Sequence, residues 1–481
     1  MRQYIKIYTL IMGVFLFTSC EKLLEVDTIS DITNDDYWQN QGDMESYLLG
    51  VYDQFRNLNN NTNYFEDRGD SFVPGMEGGP SNAWNQNLTD QNAPNWIGFY
   101  GVIQHCNLLL KYSDKIDFGV QADKNRILAE AYFIRAHTYF SLLRIWGDVP
   151  LELEPTENDN KEQLPRSPKD EVMVQILSDL SKSIELFPEN GFKNKSRASK
   201  PAAYALKADV LLWKAKVLNG TDTDLEEVII AADAAQVGTS LEEDFGKIFE
   251  DGSKNGKEII FSIYMQRDEK GDHYSSRLKP RDVFVQNAIN VNDIAFARSG
   301  ARSQYAPSPK LRNAFSEYTS DIRRSKSIIE AIAPGNVSIG WFDNKMRGSI
   351  NTGNRYYDSD IVVYRLAEMI LFKAEALAAL NRTGEAIDEL DKVRARAKIG
   401  DYTGSAEKIA VERAILQERF REFYLELKRW PDLLRFHFGG TIDVYGEVPN
   451  LSGTTVPLYS PIPKIQIDRN PSLEQTDGYN K

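Results

Sequence analysis

The chain has 481 residues, of which 42% are hydrophobic, so it can bury a large core and is too long for one core of ordinary size. Its 57 Lys and Arg stand against 70 Asp and Glu, a net charge of −13 with both signs interleaved and no basic patch, which argues against a nucleic-acid partner. Two cysteines, Cys20 and Cys106, exclude a disulfide framework and a multi-thiolate zinc site.

The N-terminus reads as an export signal. Arg2 and Lys6 precede an apolar run over 7–17, too short to span a bilayer and suited to a signal peptide. Thr18 and Ser19 are small and Cys20 follows directly. This resembles a lipoprotein signal, with 1–19 removed and Cys20 lipidated as the mature N-terminus; the bland alternative is a secretory signal with an incidental cysteine. Residues 20–42 then read as a polar tether. Cys106 lies among apolar residues at helical spacing and reads as a buried, inert thiol.

Helices dominate the rest, 43–481. Apolar spacing predicts them at 43–56, 95–112, 123–146, 169–186, 200–218, 224–236, 361–380, 385–397 and 406–427. Pro168 and Pro201 mark helix starts; Gly147 and Asn219-Gly220 mark stops. Small residues such as Ala202, Ala203, Ala205 and Ala208 let helices approach closely. A pair such as 361–380 and 385–397, turned by Asn381 to Gly384, has the size of a tetratricopeptide-like hairpin. The repeat is not strict, so helical hairpins and an irregular helical domain both fit.

Three insertions interrupt the helices, at about 57–94, 238–308 and 331–360. They are rich in Gly, Asn, Asp and aromatics, and the second holds a strand-like run, 258–264. Insertions on a helical array gather on one face and often carry function. A sugar site needs an aromatic face for the apolar face of a pyranose and planar polar groups for its hydroxyls. The loops offer Arg68, Asp70, Trp84 and Asn85 in the first, Tyr305 at the end of the second and Trp341 in the third. These are the candidate ligand contacts, with Trp84 and Trp341 foremost; each has a competing reading as a residue that packs its loop onto the scaffold.

No phosphate-binding Gly loop, nucleophile elbow or HExxH helix is present, and the four histidines are isolated. No local pattern asks for paired catalytic carboxylates, although a fold can always assemble them. The residues indicate no catalytic group, cofactor or metal site.

The order of motifs is recognisable. Residues 126–151, RILAEAYFIRAHTYFSLLRIWGDVPL, resemble a signature segment of the SusD/RagB family of nutrient-binding outer-membrane lipoproteins. Further matches follow in the family's order: Pro165 to Pro168; 197–212; Tyr364 to Glu368 with Lys373 to Ala376; Val393 to Ala397; Glu418-Arg419 with Glu422-Phe423; Lys428-Arg429-Trp430; and Pro461-Ile462-Pro463 with Asn470-Pro471. The chain departs at Leu427, where Gly is usual, at Gln466, where Glu is usual, and at Thr476, where Asn is usual.

The resemblance implies a mainly α fold, a tetratricopeptide-like helical-hairpin scaffold with long loop insertions and a few short strands. It implies no enzyme but a cell-surface lipoprotein on the outer membrane of a Gram-negative bacterium. Such a protein captures a nutrient, typically an oligosaccharide, and passes it to a SusC-like TonB-dependent transporter. Some relatives bind peptides or other non-sugar nutrients, and a lipid-anchored hydrolase is the competing class. Family members can carry calcium, but no loop here shows ligand spacing for it.

Overall fold

The computed structural model describes residues 37–158, 162–250, 252 and 254–479. The signal peptide, Cys20 and most of the tether lie outside them. Trp38 is buried and stacks on Tyr112 at 5.4 Å, so packed structure begins a few residues before position 43.

Among the described residues ten longer helices form the scaffold: α1 Gln41–Asn59, α2 Ile97–Tyr112, α3 Gln121–Trp146, α4 Lys169–Leu186, α5 Lys200–Val217, α6 Asp222–Ala235, α7 Leu366–Ala379, α8 Thr383–Ala397, α9 Lys408–Glu422 and α10 Arg429–Phe438. The pairs α3/α4, α5/α6 and α7/α8 are antiparallel hairpins. They stack through α4 on α5 and α6 on α7, so the array is the tetratricopeptide-like one. Ala129, Ala131, Ala202, Ala205, Ala374 and Ala376 are fully buried where these helices meet.

Local chemistry sets the ends. The Ser199 side chain caps α5 by accepting from the Ala202 N–H, with Pro201 in the first turn. Gly147 closes α3 at φ 75°, and Asn219 turns the chain after α5 at φ 54°.

Two helices differ from the reading of the sequence. The run 361–380 is not one helix. Ile361–Arg365 is strand β8, pairing antiparallel with β2 Ile259–Ile263, and α7 begins only at Leu366. The β-branched Ile361, Val362 and Val363 favour the strand, and both strands are wholly buried. The run 406–427 ends as a helix at Glu422, since Leu425 and Leu427 adopt φ 61° and 60°. Leu427 thus holds a left-handed conformation in which the family's usual glycine would be unstrained.

The remaining strands belong to the insertions. β1 Phe72–Pro74 pairs with β3 Tyr305–Pro307, β4 Ile328–Ala333 with β5 Val337–Asp343, and β6 Ser349–Asn351 with β7 Asn354–Tyr356, all antiparallel. One large core runs through the scaffold, and a satellite of Val285, Ala288, Ile294, Ala331 and Phe342 sits under the insertions.

Where the scaffold meets the insertions lies a buried ion network. Arg365, at the end of β8, donates to Glu258 at 2.7 Å, Glu422 at 2.5 Å and Glu426 at 2.8 Å. Arg323 bridges Asp321, Glu418 and Glu422. Burial alone would raise the Glu426 carboxyl, but Arg365 and Lys345 hold it below the usual range. The Glu418, Glu422, Arg365 and Arg429 positions of the sequence motifs therefore hold the fold together.

Candidate functional site

The three insertions interlock into one cap. β1 and β3 join the first to the second. Arg281 also pairs with Glu77 of the first, and the Asn290 side chain joins the second to the third, donating to the Glu330 carbonyl at 2.7 Å and accepting from the Ile332 N–H at 3.1 Å. The cap encloses an open cleft of about 960 Å³ between the β4–β5 and β6–β7 hairpins and the segment around Phe249.

Of the six loop residues singled out by the sequence, Trp341 lines this cleft. It stands on β5 opposite Glu330 of β4, and the Arg312 guanidinium lies 5.1 Å from its ring centroid. Its neighbour Phe342 points the other way into the satellite core, as strand alternation requires. Trp341 is half-buried, packing against the main core while lining the cleft.

The structure uses the other five differently. Arg68 is buried; it donates to Gln86 at 3.0 Å and to the carbonyls of Leu458 at 2.6 Å and Pro457 at 2.8 Å, and lies 4.6 Å over Trp430. Asp70 is buried between Arg429 and Lys310. The buried Tyr305 hydroxyl donates to Asp67 at 3.0 Å and accepts from the Ser81 N–H at 2.8 Å, while its ring stacks on Phe72 at 5.3 Å. Trp84 is half-buried, its indole N–H donating to the Phe72 carbonyl at 3.0 Å. Asn85 is exposed beside it. Arg68, Asp70 and Tyr305 thus spend their polar groups inside the protein, anchoring the first insertion, and neither Trp84 nor Asn85 lines the cleft.

Polar groups of the cleft come from residues the sequence did not single out. Arg347 precedes the β6–β7 hairpin and Arg355 lies on β7. Arg347 donates to the Asp293 carbonyl at 2.9 Å and to the Asn344 side chain, and Arg355 donates to the Arg347 carbonyl at 2.7 Å. Asn292, Glu330 and the exposed Ile350 complete the wall. A signal was available: Thr352 and Gly353, at φ 48° and 75°, form the two-residue turn that Asn-Thr-Gly-Asn favours. That turn brings residue 355 back beside 347.

The arrangement offers an aromatic face, aliphatic side chains, and planar amide and guanidinium groups around an open trough. Such a lining recognises a polyhydroxylated ring. Among the described residues no group of three His, Cys, Asp or Glu side chains is placed to hold a metal ion, and no helix is long and apolar enough to cross a membrane. Cys106 is fully buried.

The described residues thus form a helical-hairpin array capped by interlocked loops around a cleft, and comparisons place the chain within one family. A model described as "SusD family" matches residues 332–479, and one described as "Starch-binding associating with outer membrane" matches 23–212. The chain is 27% identical to SusD-like protein P38 of Formosa agariphila, over 98% of each chain. It superposes on a SusD superfamily protein from Bacteroides fragilis with a TM-score of 0.81 at 26% identity, covering 92% of this chain and all of that one. A laminarin-binding SusD-like protein shares the fold, with a TM-score of 0.75 at 23% identity over 92% of this chain and all of that one. The chain belongs to the SusD/RagB family.

Proposed function

We propose that this protein is a cell-surface lipoprotein that captures an oligosaccharide in the cleft beside Trp341 and delivers it to a SusC-like TonB-dependent transporter. The observation that carries the binding step is the Trp341 platform, set among planar polar groups in an open trough of about 960 Å³. Family membership supports the partnership with the barrel. The reading is of binding without catalysis: the protein holds a glycan and lets it go.

Affinity electrophoresis through gels containing neutral glycans, with laminarin as a first probe, tests the cleft. Trp341→Ala is expected to migrate without retardation where the parent protein is retained. Equal retardation of both removes the cleft from the ligand site. A reducing-sugar assay on the same glycans tests the absence of catalysis, since steady release of reducing ends would mark a hydrolase.

The anchor belongs to the same proposal. Residues 1–19 act as the signal peptide, Cys20 carries the lipid, and the stretch after it to about residue 36 is the tether that keeps the binding domain concentrated beside its barrel. Metabolic labelling with palmitate is expected to mark the parent protein and not Cys20→Ala. Label on the variant would sink the assignment.

A further inference from the structure

The charge of the cleft runs against that of the chain. The chain as a whole carries −13, yet the lining has five cations, Arg324, Lys326, Lys345, Arg347 and Arg355, against three carboxylates, Glu250, Asp293 and Glu330. Two of the cations are already engaged. The buried Lys345 ammonium pairs with Glu426 at 2.5 Å and donates to the carbonyls of Glu422 and Tyr424. Lys326 faces Asp244 at 3.6 Å.

Arg347 and Arg355 are in a different position. Both are half-buried, and the acceptors they meet are neutral: two backbone carbonyls and an amide oxygen. Among the described residues neither forms an ion pair with a carboxylate. Burial, and then the neighbouring charge of Arg347, pull the Arg355 guanidinium below its ordinary range. The same two guanidiniums oppose the charge on Lys279 behind them, which pairs with Asp343. Arg197, Arg323, Arg365 and Arg435 elsewhere in the molecule are matched by carboxylates, whereas the buried Arg68, which also meets only neutral acceptors, stands alone and not beside a second guanidinium. Two adjacent, partly desolvated and uncompensated guanidiniums destabilise the free protein unless an anion from outside joins them. A planar fork suits a carboxylate or a sulfate.

We infer that the cleft takes an acidic saccharide, with a sugar ring against Trp341 and a ring carboxylate or sulfate on Arg347 and Arg355. This rests on the cleft being the glycan site. It adds the chemical class of the glycan, which the family does not specify.

Titration calorimetry on the full-length, detergent-solubilised protein tests it with two matched pairs. One is an oligogalacturonate and its carboxyl-reduced neutral twin; the other is a sulfated galactan oligosaccharide and its desulfated twin. The pairs distinguish carboxylate from sulfate. At least one acidic member is expected to bind about tenfold or more tighter than its twin, the difference shrinking severalfold between about 50 mM and about 500 mM NaCl. Arg347→Gln with Arg355→Gln is expected to erase the difference between the twins, so that acidic and neutral members bind with the same affinity, whatever that affinity is. The exposed Arg324→Gln, remote from any packing role, is expected to reduce it by a smaller factor. Neutral twins bound as tightly as acidic ones, a preference that survives the double variant, or no binding to any of the four overturns the inference. If Trp341→Ala still abolishes neutral binding in those experiments, the cleft reading stands without it.

Discussion

Asp70 and Arg429 stand 359 residues apart in the chain and meet through two parallel hydrogen bonds of 2.6 and 2.9 Å. The pair is buried and ties the first insertion to the start of α10. Removing one partner strands the other charge in the interior. Arg429→Met is expected to cost about 3–5 kcal/mol in urea denaturation, and Asp70→Asn in that background to recover part of it. An Arg429→Met protein as stable as the parent would show the tie to be idle.

The same pair fixes an acid limb. Burial alone would raise the Asp70 carboxyl, but Arg429 and then Lys310 hold it at about 2. A depressed carboxyl stabilises the fold above the unfolded-state value and loses that contribution as pH falls through the folded one. Stability is therefore expected to drop by about 2 kcal/mol between roughly pH 4 and pH 2 on account of this group. Asp70→Asn, already lacking the contribution at neutral pH, is expected to flatten that part of the profile.

Glu66 has the opposite sign. Burial pushes its carboxyl up to about 8, despite donation from the Lys428 N–H and the Ser71 hydroxyl. The folded state holds a proton that the unfolded state gives up, so this contribution is present below about pH 4 and is lost as pH rises through about 8. The urea midpoint of the parent is expected to fall between pH 5 and pH 9 more than that of Glu66→Gln. Parallel profiles would contradict the assignment.

The two foremost tryptophans are expected to separate. Trp84 fills the inside of the first insertion and spends its N–H on the Phe72 carbonyl. Trp84→Ala is expected to cost about 2–3 kcal/mol and leave glycan affinity within a few-fold. Trp341→Ala is expected to cost under about 1.5 kcal/mol and abolish retention. Thermal melts beside affinity gels check both, and a reversed pattern would move the site to the first insertion.

Cys106 supplies a probe of the scaffold. Its thiol is fully buried, and burial pushes it up to about 12. In a Cys20→Ala background it is expected to resist a thiol reagent at pH 8 for as long as the fold persists and to react fully in denaturant. Rapid labelling of the native protein would show that α2 and α3 open locally.

Helices were legible because a 3.6-residue period is a local property, and α4, at Lys169–Leu186, coincides with the run its spacing predicts. β8 was not, because a short, largely apolar run leading straight into a helical one reads equally as the first turn of a helix. Only its distant partner Ile259–Ile263 decides the matter. The site divides along the same line. Trp341 stood out by residue type. Arg68, Asp70 and Tyr305 look like surface groups in polar loops, and nothing local reveals that Trp430, Arg429 and Phe72 enclose them. Arg347 and Arg355 carry no motif, since their meaning arises only when the hairpin folds them together.

The β6–β7 hairpin contributes no buried residue along either strand, and it pairs with no other sheet. It bears on the trough with Ile350 and Arg355 while the scaffold stands without it. Its eight residues, Ser349 to Tyr356, belong to neither core and are held at their base by Ser349 on Asp358. If the trough is the ligand site, a change confined to this hairpin alters what it accepts without touching either core.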